Sequence, residues 1–211
     1  MTTRLILVRH GETDWNLEGR YQGQADLPLN ERGREQAKLL AERLRGERIE
    51  AIYASDLSRA FETAKIIAEA LGHEVKTLES LREVDTGVWT GLTLEEVESR
   101  YPRHLREWRA DPLGVKRLEG ESYLELFERT IAATREIVEA HPDQTVLIVG
   151  HGGNMKCIIL DALGVGADRA IEIASRFASD NASLHILQYD EDGVLIQTLN
   201  DACHLDRLPK K

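Results

Sequence analysis

His10 stands in Val8-Arg9-His10-Gly11-Glu12, directly behind an arginine and ahead of a glycine. A neutral imidazole is a competent phosphoryl acceptor when its other ring nitrogen is held as a hydrogen-bond donor. Gly11 lets the backbone approach a ligand closely, and Arg9 offers a fork that matches phosphate oxygens. A lone histidine after a strand is more often structural than catalytic, so the case rests on its companions. His151 recurs in a similar setting, Gly150-His151-Gly152-Gly153. As an imidazolium it would stabilise the charge of a phosphoryl transition state. Arg59 falls in the first turn of a helical stretch, where the macrodipole disfavours a cation by a few tenths to about 1 kcal/mol. A helix N-terminus and a guanidinium facing one bound phosphate would instead reinforce each other. Glu83, in Leu81-Arg82-Glu83-Val84-Asp85, is a candidate acid: a partly buried carboxyl, raised from a reference near about 4.3, can protonate a leaving alkoxide. The segment Thr13-Asp14-Trp15-Asn16 reads either as a polar loop or as a hydroxyl and an amide donating to phosphate.

These residues act together only if the fold gathers them. Leu5–Val8, Ala51–Ala54 and Val146–Val149 are apolar at consecutive positions, the pattern of strands covered on both faces, with a shorter strand near Val75–Leu78. Helical periods lie between them. Ala37, Leu40, Ala41 and Leu44 follow Asn30 as N-cap, and Leu57, Ala60, Phe61 and Ala64 repeat the spacing. So do Met155, Ile158, Ile159 and Ala162. Leu124, Phe127, Ile131, Thr134 and Val138 continue it behind the capping-box pair Ser122 and Glu125, and Thr93 with Glu96 marks another start. Strands alternating with helices predict an α/β sheet with helices on both faces. Ser183–Tyr189 and Val194–Leu199 flank Asp190-Glu191-Asp192-Gly193, a hairpin that adds antiparallel strands. We expect one domain over 1–211, in which residues 86–120 form a helical, lid-like insertion. Ligands in open α/β sheets bind beyond the carboxyl ends of the strands. His10, Arg59, Glu83 and His151 all follow such ends.

Composition narrows the function. With 211 residues, 42% hydrophobic and 30% charged, the chain suits a globular enzyme. A net charge of −10 disfavours nucleic acid and anionic membrane as partners, although a local pocket can oppose the global sign. The opening Met1-Thr2-Thr3-Arg4 shows no signal-peptide architecture, and no apolar run is long enough to span a bilayer. Two cysteines, Cys157 and Cys203, in no metal-ligand spacing point to a reducing, cytoplasmic setting. A metal-dependent hydrolase would also use two histidines and carboxylates, but Arg9 and Arg59 in one site would repel a divalent cation. We expect no metal and no cofactor, a small phosphorylated substrate, and a monomer or homodimer.

As a set, these segments resemble the histidine phosphatase superfamily, also called phosphoglycerate mutase-like. The resemblance is carried by Leu7-Val8-Arg9-His10-Gly11-Glu12-Thr13, Asn16, Arg20, Gln22-Gly23 and Asp26-Leu27-Pro28-Leu29. It continues through Ser55-Asp56-Leu57-Ser58-Arg59-Ala60, Leu81-Arg82-Glu83 with Gly87, Trp89 and Gly91, and Gly150-His151-Gly152-Gly153. It implies a mixed, mostly parallel sheet sandwiched between helices. It also implies His10 as nucleophile, Glu83 as proton donor and later base, and a phosphate pocket of Arg9, Asn16, Arg59 and His151. Gln22, Gly23 and Gly152 would line that pocket. The mutases of the family carry Arg-His-Tyr-Gly-Gly-Leu around the acid, where this chain has Thr86-Gly87-Val88-Trp89-Thr90-Gly91; hydrolysis is therefore expected over mutase activity. A non-enzymatic pseudoenzyme would have lost the nucleophile or the acid, and both are present. Ser179-Asp180-Asn181-Ala182-Ser183 and Asn200-Asp201-Ala202-Cys203-His204-Leu205 resemble the metal-independent phosphoserine phosphatases. Those enzymes carry a histidine in the loop after the acid, where Thr86 brings no charge. Arg82, Lys116 or Arg117 could substitute if the lid brings one over the pocket, although each reads first as a solvated charge. The expectation is a phosphatase tolerant of small phosphomonoesters, with phosphoserine a substrate but not strongly preferred.

Overall fold

Leu5, Ile6, Leu7 and Val8 are apolar at successive positions because the strand they build is covered on both faces, and each is fully buried. The computed structural model describes residues 2–174 and 176–209. Met1, Ser175, Lys210 and Lys211 lie outside them, and with Met1 the first residue of the opening segment. In chain order, strand β1 (Thr3–Arg9) precedes helix α1 (Asp14–Leu17), α2 (Glu31–Leu44), β2 (Ala51–Ala54), α3 (Ser58–Leu71) and β3 (Val75–Thr77). Then come α4 (Leu94–Arg100), α5 (Pro102–Ala110), α6 (Tyr123–Ala140), β4 (Thr145–Gly150), α7 (Gly152–Ala162) and α8 (Ala167–Ala174). The hairpin β5 (Leu184–Asp190) and β6 (Gly193–Asp201) follows. No helix among the described residues is long and apolar enough to cross a membrane.

The six strands form one sheet in the order β3-β2-β4-β1-β5-β6. The first four run parallel, β5 runs antiparallel to β1, and β6 antiparallel to β5. This is the mixed, mostly parallel sheet expected. Strand alternation divides the core. Leu5, Leu7, Val146 and Ile148 pack with Leu126 and Ile131 of α6 and Met155 and Ile158 of α7. Ile6, Val8, Ile52, Leu147 and Val149 face the other way, against Leu40 and Leu44 of α2 and Ala64 and Ile67 of α3. Two details differ from the sequence reading. Phe61 is 38% exposed, because the buried stripe of α3 runs through Arg59, Ala60, Thr63 and Ala64 instead. In α6 the stripe includes Leu126, Thr130 and Ile137, while Leu124 and Val138 lie at its edges.

Residues 86–120 contain α4 and α5 and gather a separate small cluster of Trp89, Val97 and Leu105. Both ends of this segment meet. Val88 N–H donates to Leu118 O at 2.9 Å, and Glu121 N–H to Asp85 O at 2.9 Å. A Cβ on Gly87, which has φ +51°, would lie 1.9 Å from Leu118 O; one on Gly120 would lie 2.5 Å from Asp85 O.

Parallel pairing brings the strand ends level: Arg9 pairs with Gly150, and Ala54 with Val149. The loop after β1 then rests on the start of α2. A Cβ on Gly33 would lie 2.1 Å from Glu12 O and 2.7 Å from Glu12 N, both backbone atoms that cannot swing aside. Gly33→Ala should therefore lower the Tm by about 4–10 °C through overpacking. Gly152→Ala, whose Cβ would meet nothing closer than 3.7 Å, should not lower it. Thermal unfolding by circular dichroism checks both; an unchanged Tm in Gly33→Ala would refute the close contact.

Candidate active site

Because β1 and β4 end side by side, the residues that follow them do too. His10 N–H donates to Gly150 O at 2.9 Å, and the rings of His10 and His151 lie 5.2 Å apart, tilted by 60°. His10 Nδ1 donates to Gly11 O at 2.7 Å, which fixes the tautomer and leaves Nε2 as a bare lone pair. His10 lines a cavity of about 430 Å³, with Arg9, Asn16, Gln22, Gly23, Arg59, Glu83 and Gly152 around it. Burial, then Arg59 and Arg9, hold the His10 pKa well below 6.5; burial, Arg59, His10 and Arg9 do the same for His151. Both rings are neutral in the free protein, so the imidazolium read from the sequence for His151 requires a bound anion. Neither nitrogen of His151 has a protein partner.

Arg59 is fully buried, which the sequence reading of a first-turn cation did not anticipate. Its guanidinium donates to Ala25 O at 2.8 Å and Gly23 O at 2.7 Å, while Nε is unpaired. Burial brings its pKa down to about 10, opposed by Glu83 and Asp26, and it stays charged at neutral pH. The loop that receives it is itself tied to the helix: Asp26 accepts from Ser58 N–H at 2.7 Å and from Ser58 Oγ at 2.9 Å. Asp26 thus caps α3 from outside, since Leu57 at the N-cap position brings no side-chain acceptor. Arg9 donates to Ser179 O and also keeps its Nε unpaired.

Glu83 reaches the cavity from the bend after β3. Its Oε2 accepts from Gly153 N–H at 3.1 Å, in the first turn of α7, and its Oε1 from Val84 N–H at 2.9 Å. A Cβ on Gly153 would lie 2.2 Å from Glu83 Oε1 and 2.9 Å from Leu126 Cδ2, so glycine there is a condition for seating the carboxyl. Gly152 is different: its Cβ would fit, and it merely lines the cavity. Gly23 must be small, since its Cβ would lie 2.3 Å from Thr86 Oγ1. Thr13 and Asn16 form a capping box on α1. Asn16 Oδ1 accepts from Thr13 and Asn181, so the group it can offer a ligand is its amide nitrogen.

The two C-terminal segments act from behind. Asn181 donates to His10 O at 3.1 Å, His204 Nε2 to Ala182 O at 3.0 Å, and Ala182 N–H to Arg9 O at 3.0 Å. Of these residues only Ser179 lines the cavity. Sequence reasoning missed Lys156, one turn into α7 and half-buried in the cavity wall, although its spacing from His151 was legible. Of the three cations that the lid could bring over the pocket, each read first as a solvated charge, Arg117 is the one that reaches it. Arg117 is 6% exposed and lines the cavity, its guanidinium 5.8 Å from the Trp89 ring and 5.3 Å from that of Trp108. By contrast Arg82 pairs with Asp56, and Lys116 with Glu125, away from the site. The wall thus carries Arg9, Arg59, Arg117 and Lys156 against Glu83, with Arg20 beside them paired to Glu18 and Glu96, a positive pocket in a chain of net charge −10. It suits an anion with more than one charged group. Among the described residues, no three or more His, Cys, Asp or Glu side chains gather as a metal ion would need.

The chain is similar to known proteins along nearly its whole length. The model of the histidine phosphatase superfamily (branch 1) matches residues 5–202. A Hydrogenobacter thermophilus protein named phosphoserine phosphatase 1 is 40% identical over 96% of this chain and 94% of its own. A Yersinia pestis protein named as a probable phosphoglycerate mutase is 38% identical, over 96% of this chain and 95% of its own. The structure of an Entamoeba histolytica phosphoserine phosphatase in complex with 3-phosphoglyceric acid superposes with a TM-score of 0.84 at 28% identity, covering 96% of this chain and 99% of that one.

Burial of neutral imidazoles has a consequence for stability. His10, His151, His185 and His204 are all held below 6.5 by burial, His185 at about 4. Such a group takes up its proton on unfolding, so its stabilisation is complete above 6.5 and is lost as pH falls toward the folded value. Urea unfolding should show stability falling by more than about 1.4 kcal/mol between pH 6 and pH 5, more than one proton's worth. A smaller fall would contradict the neutral burial.

Proposed function

The chain belongs to the histidine phosphatase superfamily, and on that premise we propose that His10 carries a phosphoryl group from a small phosphomonoester to water. The observation that supports it most is the pinned tautomer: Nδ1 is engaged by Gly11 O, so Nε2 is the nucleophile at a cavity wall built of cations. Nε2 attacks phosphorus as the bond to the alkoxide breaks, and Glu83, as the acid, delivers its proton to the leaving oxygen. In the second half Glu83 accepts a proton from water, the resulting hydroxide attacks phosphorus, the nitrogen–phosphorus bond breaks and inorganic phosphate leaves. Arg9 and Arg59 take the equatorial oxygens, with Asn16, Gln22 and the Gly23 and Gly152 backbone completing the pocket. His151 donates to the same oxygens, and the dianion raises its pKa.

Thr86 is occupied: it is buried, bonded to Thr90 Oγ1 at 2.8 Å and packed on Gly23. The absence of a charge at that position led to an expectation of broad tolerance, but Arg117 and Lys156 supply positive charge beyond the phosphate grip. We infer a substrate with a second anionic group, such as a carboxylate. The names of the phosphoserine phosphatase relative and of the complex with 3-phosphoglyceric acid support this, and hydrolysis is preferred to mutase transfer. The reading includes a single domain, with 86–120 as a lid that carries Arg117 over the cavity. It also includes a cytoplasmic setting for a monomer or homodimer.

Quenching turnover of labelled substrate should leave acid-labile, base-stable label on His10, and His10→Ala should carry none. Label on a carboxylate or hydroxyl, or unimpaired turnover in that variant, would refute the nucleophile. Lys156→Ala should lower kcat/KM for phosphoserine and 3-phosphoglycerate by roughly 10–150-fold, the loss of one charge-assisted contact. The same variant should leave p-nitrophenyl phosphate nearly unchanged. An equal effect on all three substrates would remove the second-anion subsite.

A further inference from the structure

Arg129 of α6 is no part of the cavity wall, yet it holds the backbone from which Glu83 projects. Its Nη1 donates to Ser80 O at 2.8 Å and Arg82 O at 2.7 Å, and its Nη2 to Glu83 O at 2.9 Å. The remaining edge of the guanidinium is gripped by Glu121, with Nε to Oε1 at 2.7 Å and Nη2 to Oε2 at 2.9 Å. Glu121 Oε2 also accepts from Asp85 N–H at 3.0 Å. The pair therefore clasps the chain on both sides of Glu83, at Arg82 and at Asp85. Asn154 of α7 adds a donor to Arg82 O at 3.1 Å. We propose that Glu121 and Arg129 are positioning residues that set where the Glu83 carboxyl meets the leaving oxygen. The inference rests on the reading of Glu83 as the acid.

Three features separate this from a general structural role. The donors go to three carbonyls within one four-residue stretch, those of Ser80, Arg82 and Glu83, not to distributed partners. Only a planar five-donor fork serves all of them and a bidentate carboxylate at once; a lysine ammonium cannot. And the Glu83 carboxyl is backed on one side by Gly153, where not even a Cβ would fit, so a shift of its backbone moves the carboxyl within the cavity. Glu121 also ends the turn that begins at Arg117: Arg117 N–H and Nη1 both donate to Glu121 O at 3.3 Å. The group that faces a substrate anion and the group that anchors the acid thus share one short turn.

The test uses single-turnover phosphorylation of the full chain with ethyl phosphate, a poor leaving group, and p-nitrophenyl phosphate, a good one. Arg129→Lys should slow ethyl phosphate by about 10–100-fold, the penalty for a misplaced catalytic group, with p-nitrophenyl phosphate within about threefold. Vanadate affinity, which reports the phosphate grip, should be unchanged. In a Glu83→Gln background the same substitution should bring no further loss. Should Arg129→Lys fail to fold, Glu121→Gln, which keeps the shape and removes the charge, carries the same expectation. Equal losses on both substrates, weaker vanadate binding, or a loss additive to Glu83→Gln would overturn the positioning role. If Glu83→Gln alone lacks the leaving-group dependence, the reading of Glu83 as acid falls first, and the pair's role with it.

Discussion

The parallel register of β1 with β4 is the constraint on which the site depends. Pairing Arg9 with Gly150 makes two segments leave the sheet side by side in the same direction, and the two imidazoles then stand 5.2 Å apart. A shift by one residue would turn Leu5 and Leu7 to the opposite core and carry His10 away from His151. The register is therefore enforced by burial on both faces: the same alternation that fills the two cores also aims the chemistry.

What the register creates, the surroundings must tolerate. Two histidines and two guanidinium groups crowd together beneath one cavity, inside a chain of strongly negative net charge. Backbone carbonyls of Gly23, Ala25 and Ser179 absorb part of the positive charge. The rest is left open. Arg9 Nε, Arg59 Nε, Gln22 Oε1 and both nitrogens of His151 have no protein partner. In the function proposed above, the donors among them, Arg9 Nε, Arg59 Nε and one nitrogen of His151, are those that the acceptor oxygens of a phosphoryl group would meet, whereas Gln22 Oε1 accepts and would need a donor.

The sequence was most legible where one physical rule acts alone. Apolar runs marked the strands, and Asn30, Ser122 with Glu125, and Thr93 with Glu96 marked helix starts at the positions where side chains cap them. The segments around His10, Arg59, Glu83 and His151 were visible as motifs, and the structure gathers all four. Less legible were residues whose character depends on tertiary partners. Arg117 looks like any solvated arginine until Trp89 and Trp108 close around it. Arg129 is an ordinary helical cation until three carbonyls and a carboxylate converge on it. The C-terminal segments matched a substrate class by resemblance, but Asn181 braces the His10 loop directly and His204 does so through Ala182. Charge count alone could not distinguish these fates, because burial of a charge is decided by groups far away in the chain.

The neck of residues 86–120 carries a consequence of another kind. Asp85 and Gly87 meet Leu118, Gly120 and Glu121 backbone to backbone, so the segment begins and ends at one point and keeps its own small core. Inside that closure the segment is tied a second time, to the loop after α1: Gly91 N–H donates to Tyr21 O at 2.8 Å, Tyr21 N–H to Leu92 O at 2.9 Å, and Arg20 pairs with Glu96 at 2.7 Å. A change within the segment is therefore passed to Gln22 and Gly23, which follow Tyr21 in the chain and stand in the cavity wall, while the two closing glycines keep its ends together.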